Sequence, residues 1–291
     1  MRSLTTMSSQ SEASTLVSVL AGKGITAEIR VDDDVPTIWI IDDGRVDDAR
    51  EILSRWRADP GSPEFAAAQR EGQRNAAAAA QDARRYARRI NEARRSYEDA
   101  EGPGWVTKGL ASLSVAASAV LLLDLNLPVY EWLALSNVWS SRAFPEVMSG
   151  EVWRLFTPVF LHFSWMHLLF DVYWVWMLGH AVEWRKGGGH LLRLSLFIGV
   201  FSNVLQGVMV GPRFGGLSGI VFGLAAYLWL KGRFDPSDRI GLDDTTAIIL
   251  VVFGLAGFTG LLGPIANFAH LGGAIAGALA FGATRLAQRR R

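Results

Sequence analysis

Apolar positions are spread unevenly along the chain. From residue 105 to about 285 they gather into six segments, roughly 106–126, 165–184, 189–209, 216–230, 246–262 and 264–283, with charges confined to the gaps between them. Residues 1–100 are polar and highly charged by comparison. A water-soluble protein has no reason to segregate its residues in this way, so the second part reads as an all-α membrane domain of six spans. Some segments are short for a hydrocarbon core about 30 Å thick, as expected of helices shielded by neighbours inside a bundle.

Ahead of the spans, residues 12–58 have the pattern of a small α/β unit. Thr15 to Leu20 carries helical spacing, and Ile25 to Val31 and Thr37 to Ile41 read as strands. Asp32, Asp33, Asp34 and Pro36 supply a turn, and Arg45 to Trp56 fits an amphipathic helix. The run Asp59-Pro60-Gly61-Ser62-Pro63 closes a domain over 1–63. A core of this size is marginal alone, which leaves room for a homodimer through it. A linker over 64–104, rich in Ala, Arg and Glu, is expected to be helical or disordered. The membrane domain then covers 105–286 and a basic tail 287–291.

Charge adds a topology. Arg84, Arg85, Arg88, Arg89, Arg94 and Arg95 precede the first span; read as a solvated face or as an anchor for anionic headgroups, they mark one side. Arg185 and Lys186 fall on that same side of a six-span layout, as do Lys231, Arg233, Arg239, Arg285 and Arg289 to Arg291. Only Arg142, Arg154 and Arg213 lie opposite. The positive-inside rule then puts both termini in the cytoplasm. The first thirty residues lack an apolar core of signal-peptide type, in keeping with a cytoplasmic N-terminus. Residues 127–164 form a Trp- and Phe-rich outer loop suited to the interface. The net charge of +1 gives no argument for nucleic acid as a partner. The absence of cysteine excludes disulfides, a thiolate nucleophile and cysteine-bound metal.

Polar groups inside a bilayer are costly, so those present are candidates for function. The fourth segment opens Gly215-Gly216-Leu217-Ser218-Gly219, and the sixth holds Ala269-His270-Leu271-Gly272-Gly273. Gly219 with Gly223, and Gly273 with Gly277, have the small-xxx-small spacing that lets helices approach closely. If those faces meet, His270 reaches the Ser218 hydroxyl and activates it as a nucleophile, with Phe222 one turn on stacking against the imidazole. Taken singly, the run Gly216 to Gly219 is ordinarily small-residue packing, and a histidine in a membrane helix is a helix-bonding or proton-relay residue. His162 and His167 lie five residues apart with no intervening Glu, a spacing that puts them on different faces of a helix and argues against a zinc site. His167 and Asp171 share a face as an oxyanion donor pair or a local His–Asp pair. Ser202 and Gln206 share another and could hold water or bond between helices.

The chain resembles the rhomboid family of intramembrane serine proteases. The resemblance is carried by Trp153-Arg154, by His162 and His167, by Gly179 with Glu183 and Gly187, by Gly216-Leu217-Ser218-Gly219, and by Ala269-His270 with Gly273. It implies a compact six-helix bundle preceded by a small cytoplasmic domain. It implies Ser218 as nucleophile, His270 as general base, and an oxyanion hole made by His167 and the Ser218 N–H. Substrates would be transmembrane helices, cut near the membrane face opposite the cytoplasm, with no cofactor or metal. The family commonly has Asn where this chain has Asp171 and Tyr where it has Phe222; a carboxylate at 171 would oppose a developing oxyanion. Two rival readings remain beside the protease: a non-catalytic membrane-protein binding or quality-control factor, and a transporter or proton channel using His270 and Asp171, for which no inverted repeat is visible.

Overall fold

The computed structural model describes residues 1–32, 35–98, 102–138, 143–235, 239–260 and 265–289. The turn residues Asp33 and Asp34, the basic residues Arg142, Arg290 and Arg291, and the inter-span residues 261–264 lie outside that set. The chain divides into two compact units, Met1–Arg85 and Tyr86–Arg291.

The first unit is a three-stranded antiparallel sheet covered by helices. Its strands are β1 (Arg2–Thr6), β2 (Ala27–Asp32) and β3 (Val35–Ile40), in the order β1-β3-β2. Ile38 and Ile40 alternate into the core from β3. They meet Ala13, Leu16, Val19 and Leu20 of α1 (Gln10–Gly22), and Val46, Ala49, Leu53 and Trp56 of α2 (Val46–Ala58). Both helices bury residues three and four positions apart, the stripe expected of an amphipathic helix. Pro36, expected in a turn, stands instead within the central strand opposite Val31, and its carbonyl accepts from Met7 N at 2.8 Å. A proline lacks only the donor, so it is tolerated this close to a strand's start.

The linker proves helical: α3 runs unbroken over Pro63–Glu98. Proline suits a first helical position, and Arg88 pairs with Glu92 at i, i+4 and 2.8 Å. Phe65 and Ala68 join the core of the first unit.

The second unit contains the six predicted spans as α4 (Trp105–Leu122), α7 (Trp165–Lys186), α8 (Gly188–Met209), α9 (Ser218–Phe234), α10 (Asp244–Gly257) and α11 (Asn267–Arg289). Two of them, α4 and α8, are long and apolar enough by themselves to cross a bilayer. Helix α9 is central, with every residue from Ser218 to Ala225 buried. The outer surface stays apolar: Leu113, Leu169, Tyr173, Ile248, Val251, Val252, Leu255 and Leu279 are all more than half exposed. Such a belt is unstable against water and stable against acyl chains. Between α4 and α7 the outer loop folds into α5 (Val129–Leu133), α6 (Pro145–Met148) and two 3-10 turns, Val152–Leu155 and Thr157–Phe160.

Buried polar groups tie this unit together. The Glu183 carboxylate near the end of α7 accepts from Val106 N, Thr107 N and Thr107 Oγ1 at 2.9, 2.9 and 2.7 Å, capping α4. Arg154, buried, donates to Glu151 at 2.6 Å and to the Ala134 carbonyl at 2.9 Å. Glu146 accepts from Ser136 Oγ at 2.6 Å and Asn137 N at 2.8 Å; partial burial pushes its carboxyl up, but these two bonds outweigh it and hold it below the usual glutamate value.

Candidate active site

Glycine brings the site together. A Cβ on Gly273 would lie 2.0 Å from the Gly219 carbonyl oxygen, and one on Gly277 would lie 2.0 Å from that of Gly223. Helices α9 and α11 therefore touch backbone to backbone along the two glycine rows predicted from spacing. Ser218 is the first residue of α9 and His270 lies in the first turn of α11, so the close approach sets one beside the other. His270 Nε2 is 3.0 Å from Ser218 Oγ. Both side chains are buried, at 5% and 6% exposure, so the pair is screened from competing solvent. The Phe222 ring stacks on the imidazole, centroids 4.4 Å apart and planes 15° apart. His270 Nδ1 has no hydrogen-bond partner among the described residues.

Helix α8 steadies this junction. Gln206 Oε1 accepts from Ala269 N at 3.1 Å, so the bond between helices is the one the residue makes. Ser202 Oγ turns back on its own helix to the Gly199 carbonyl at 3.0 Å.

The histidine pair departs from the spacing argument. Helix α7 begins only at Trp165, with the Ser164 side chain accepting from His167 N as its cap. His162 therefore precedes the helix, and the chain folds back so that the His162 and His167 rings meet edge to face with centroids 4.9 Å apart. Asp171 lies between them, its Oδ2 3.1 Å from His162 Nε2 and 3.2 Å from His167 Nε2. The donor atoms of His162, His167 and Asp171 all lie within 4.8 Å of one another, so the reason for setting a metal aside, that the two histidines face apart, does not hold. His162 is fully buried, and its Nε2 also takes Leu217 N at 3.3 Å. Gly216, at φ 124°, passes close by: a Cβ there would meet His167 Nε2 at 2.8 Å and Asp171 Oδ2 at 3.1 Å. The N-terminus of α9, whose first amides have no partner within the helix, opens toward this cluster.

What these groups make together is a helical membrane protein carrying a serine–imidazole pair below its surface. Comparison with known proteins gives that arrangement its family. A Rhomboid domain matches residues 149–287. The chain is 35% identical over 290 residues to proteins named Rhomboid protease GlpG from Salmonella newport, Salmonella typhi and Salmonella typhimurium, covering 99% of this chain and 99% of each of theirs. The chain belongs to the rhomboid family and is a membrane-embedded serine protease of the GlpG type.

Proposed function

We propose that Ser218 and His270 are the catalytic dyad of this protease. The reading rests on one observation above the rest: the 3.0 Å approach of His270 Nε2 to Ser218 Oγ inside a bundle that excludes bulk solvent. Ser218 Oγ attacks the scissile carbonyl carbon while its proton passes to His270 Nε2. The tetrahedral intermediate collapses as that proton moves to the leaving amine, leaving a Ser218 ester. Water, deprotonated by the same nitrogen, then hydrolyses the ester and restores the hydroxyl. Phe222 holds the imidazole plane by stacking, a task that needs the ring and not a hydroxyl.

The oxyanion is stabilised by the Ser218 N–H at the start of α9 and by His167. Asp171 complicates this. It engages the same His167 nitrogen that would face the oxyanion, at 3.2 Å. The position of the carboxylate favours a role in orienting His167 over a role as a donor in Asn's place. Substrate must then draw the His167 N–H from Asp171 as charge develops, and the partly exposed ring has room to turn. Asp171 is also the one feature that favours the rival reading of a non-catalytic membrane-protein binding factor.

The substrate class follows from depth. Ser218 lies 13 residues before Lys231 on α9, about 20 Å at 1.5 Å per residue. With Lys231 and Arg233 at one interface of a core about 30 Å thick, the serine sits roughly 10 Å inside the other. Only a polypeptide lying in the bilayer presents a peptide bond there, so the substrates are transmembrane helices that unwind locally near the face opposite the cytoplasm. Both termini then lie in the cytoplasm of an inner membrane protein, and the sheet domain is free to pair two copies.

The test is cleavage of a transmembrane substrate by the purified protein, with fluorophosphonate labelling of Ser218. Ser218→Ala and His270→Ala should each abolish cleavage without unfolding the protein, since members of one catalytic unit lose about as much singly as together. Cleavage by Ser218→Ala at the wild-type rate would refute the assignment.

A further inference from the structure

We propose that His162, His167 and Asp171 form a binding site for a divalent transition metal of the zinc type, and that its occupancy shuts the protease off. The inhibition, though not the binding, rests on the role given above to His167.

The argument begins with protons. Leu217 N donates to His162 Nε2 at 3.3 Å, so that nitrogen is the acceptor of the ring, and Ser118 Oγ stands 3.1 Å from the other, Nδ1. Nδ1 therefore carries the hydrogen, and Nε2 presents its lone pair. That lone pair faces Asp171 Oδ2 at 3.1 Å, an acceptor facing an acceptor. The other carboxylate oxygen, Oδ1, is buried with no hydrogen-bond partner among the described residues, in a side chain of 0% exposure. His167 Nε2 converges on the same Oδ2 at 3.2 Å. Three groups that ligate divalent metals thus converge on one small volume, and a cation there, with the His167 hydrogen moved from Nε2 to Nδ1, accepts an electron pair from each of them.

The dimensions fit. With bonds of about 2.0 to 2.1 Å to nitrogen and oxygen, neighbouring ligands of a tetrahedral zinc are roughly 3.3 Å apart. Two of the three edges are already 3.1 and 3.2 Å. The three donors span at most 4.8 Å, so the widest pair closes by no more than roughly 1.5 Å. The His167 ring, about a third exposed at the start of its helix, can supply that movement. Ser118 serves as the outer partner that fixes the ring of a ligating histidine. Gly216 leaves open the space that a Cβ would fill. The fourth position belongs to water, and two imidazoles with one carboxylate suit zinc and its neighbours better than magnesium or calcium. The metal takes the Nε2 lone pair from its 3.3 Å bond with Leu217 N and removes His167 from the oxyanion.

The experiment uses the purified full chain and two readouts. In the Ser218→Ala protein, Co²⁺ should give the visible bands of a four-coordinate ion at one equivalent per chain, displaced by Zn²⁺. Adding Asp171→Asn should weaken binding by more than the roughly 10- to 100-fold that even an outer-shell partner commands. His167→Ala, altering a ring about a third exposed, should weaken it likewise. In the wild type, Zn²⁺ should suppress cleavage at least tenfold and a chelator should restore it. Absent bands, or bands unchanged by both substitutions, overturn the site. Bands lost on His270→Ala but kept on Asp171→Asn place the metal on the dyad and overturn it too. Bands as expected with cleavage untouched by Zn²⁺ overturn the inhibition and the oxyanion role of His167. They leave the Ser218–His270 dyad standing, since fluorophosphonate labelling reads it separately.

Discussion

Replacing Gly273 by alanine adds one methyl group where the structure has none to spare. Its Cβ would lie 2.0 Å from the Gly219 carbonyl oxygen, whereas carbon and oxygen in contact stand about 3.3 Å apart. The two helices must part by roughly 1.3 Å, and the obstacle is backbone, which cannot swing aside as a flexible side chain can. Overpacking of this kind costs about 1–3 kcal/mol of stability. The larger effect falls on the chemistry. Ser218 adjoins Gly219, and His270 lies one turn before Gly273, so the parting acts directly on a 3.0 Å contact. A misplacement of about 1 Å costs on the order of 100-fold in rate. Gly282, on the same helix with open space around its Cβ position, is the control; its alanine variant should keep full activity and gain up to about 1 kcal/mol, the helix-propensity difference. Cleavage of a transmembrane substrate, fluorophosphonate labelling and thermal unfolding would be measured on all three proteins. If Gly273→Ala cleaves within about twofold of wild type, backbone contact between α9 and α11 does not set the dyad, and the argument from glycine spacing to catalysis fails.

Other outcomes follow from the polar ties. Glu183→Ala strips three bonds from the start of α4 and should lower unfolding stability by roughly 2–4 kcal/mol, while cleavage per folded molecule changes little. The Glu146 clamp has a depressed carboxyl, so its contribution is present above the ordinary glutamate value and fades as pH falls through the lowered one. Hydrogen exchange at Asn137 N should accelerate in acid relative to Glu146→Gln, and equal profiles would remove Glu146 as the cause. A chain beginning at Gly102 should fold and cleave, but unfold at a lower temperature than one beginning at Arg85. The shorter form lacks the Tyr86 hydroxyl's 2.8 Å bond to the Leu242 carbonyl, in a phenol that burial pushes up to about 12. A well-folded but inert Gly102 form would refute the modular reading.

The six spans and the glycine contact were legible because each is a local pattern: an apolar run, or small residues four apart. The elements that escaped depend on partners far along the chain. Strand β1 holds one strongly apolar residue, Leu4, and exists because β3 offers an edge, pairing Arg2 with Ile40 and Thr6 with Thr37. The short helices and 3-10 turns of the outer loop are held by long-range bonds, such as Thr157 Oγ1 to the Leu133 carbonyl at 2.8 Å and Asn203 to the Leu155 carbonyl at 2.9 Å, which no periodicity announces. His162 was misplaced because helical spacing was extended back through Ser164. A serine three residues before His167 is a cap signal, and it would have ended the helix there and freed His162 to fold back. Glu183, read only as part of a family pattern, is the buried cap of α4, and its apolar surroundings at the end of a span were the available sign.

On the proposed dyad, the Nδ1 of His270, without a hydrogen-bond partner among the described residues, bears on how substrates are chosen. In soluble serine proteases the third member that orients the imidazole is worth about 10⁴ in turnover. If His270 is the base as proposed, lacking such a third member it forgoes that factor, and the chemical step becomes slow beside the rate at which helices meet and part in a bilayer. Selection then passes from collision to residence. A stable helix drifts away uncut, and one that unwinds and lingers is hydrolysed. A slow clock inside the membrane thus protects the many proteins around it and leaves the substrate's own helical stability to decide its fate.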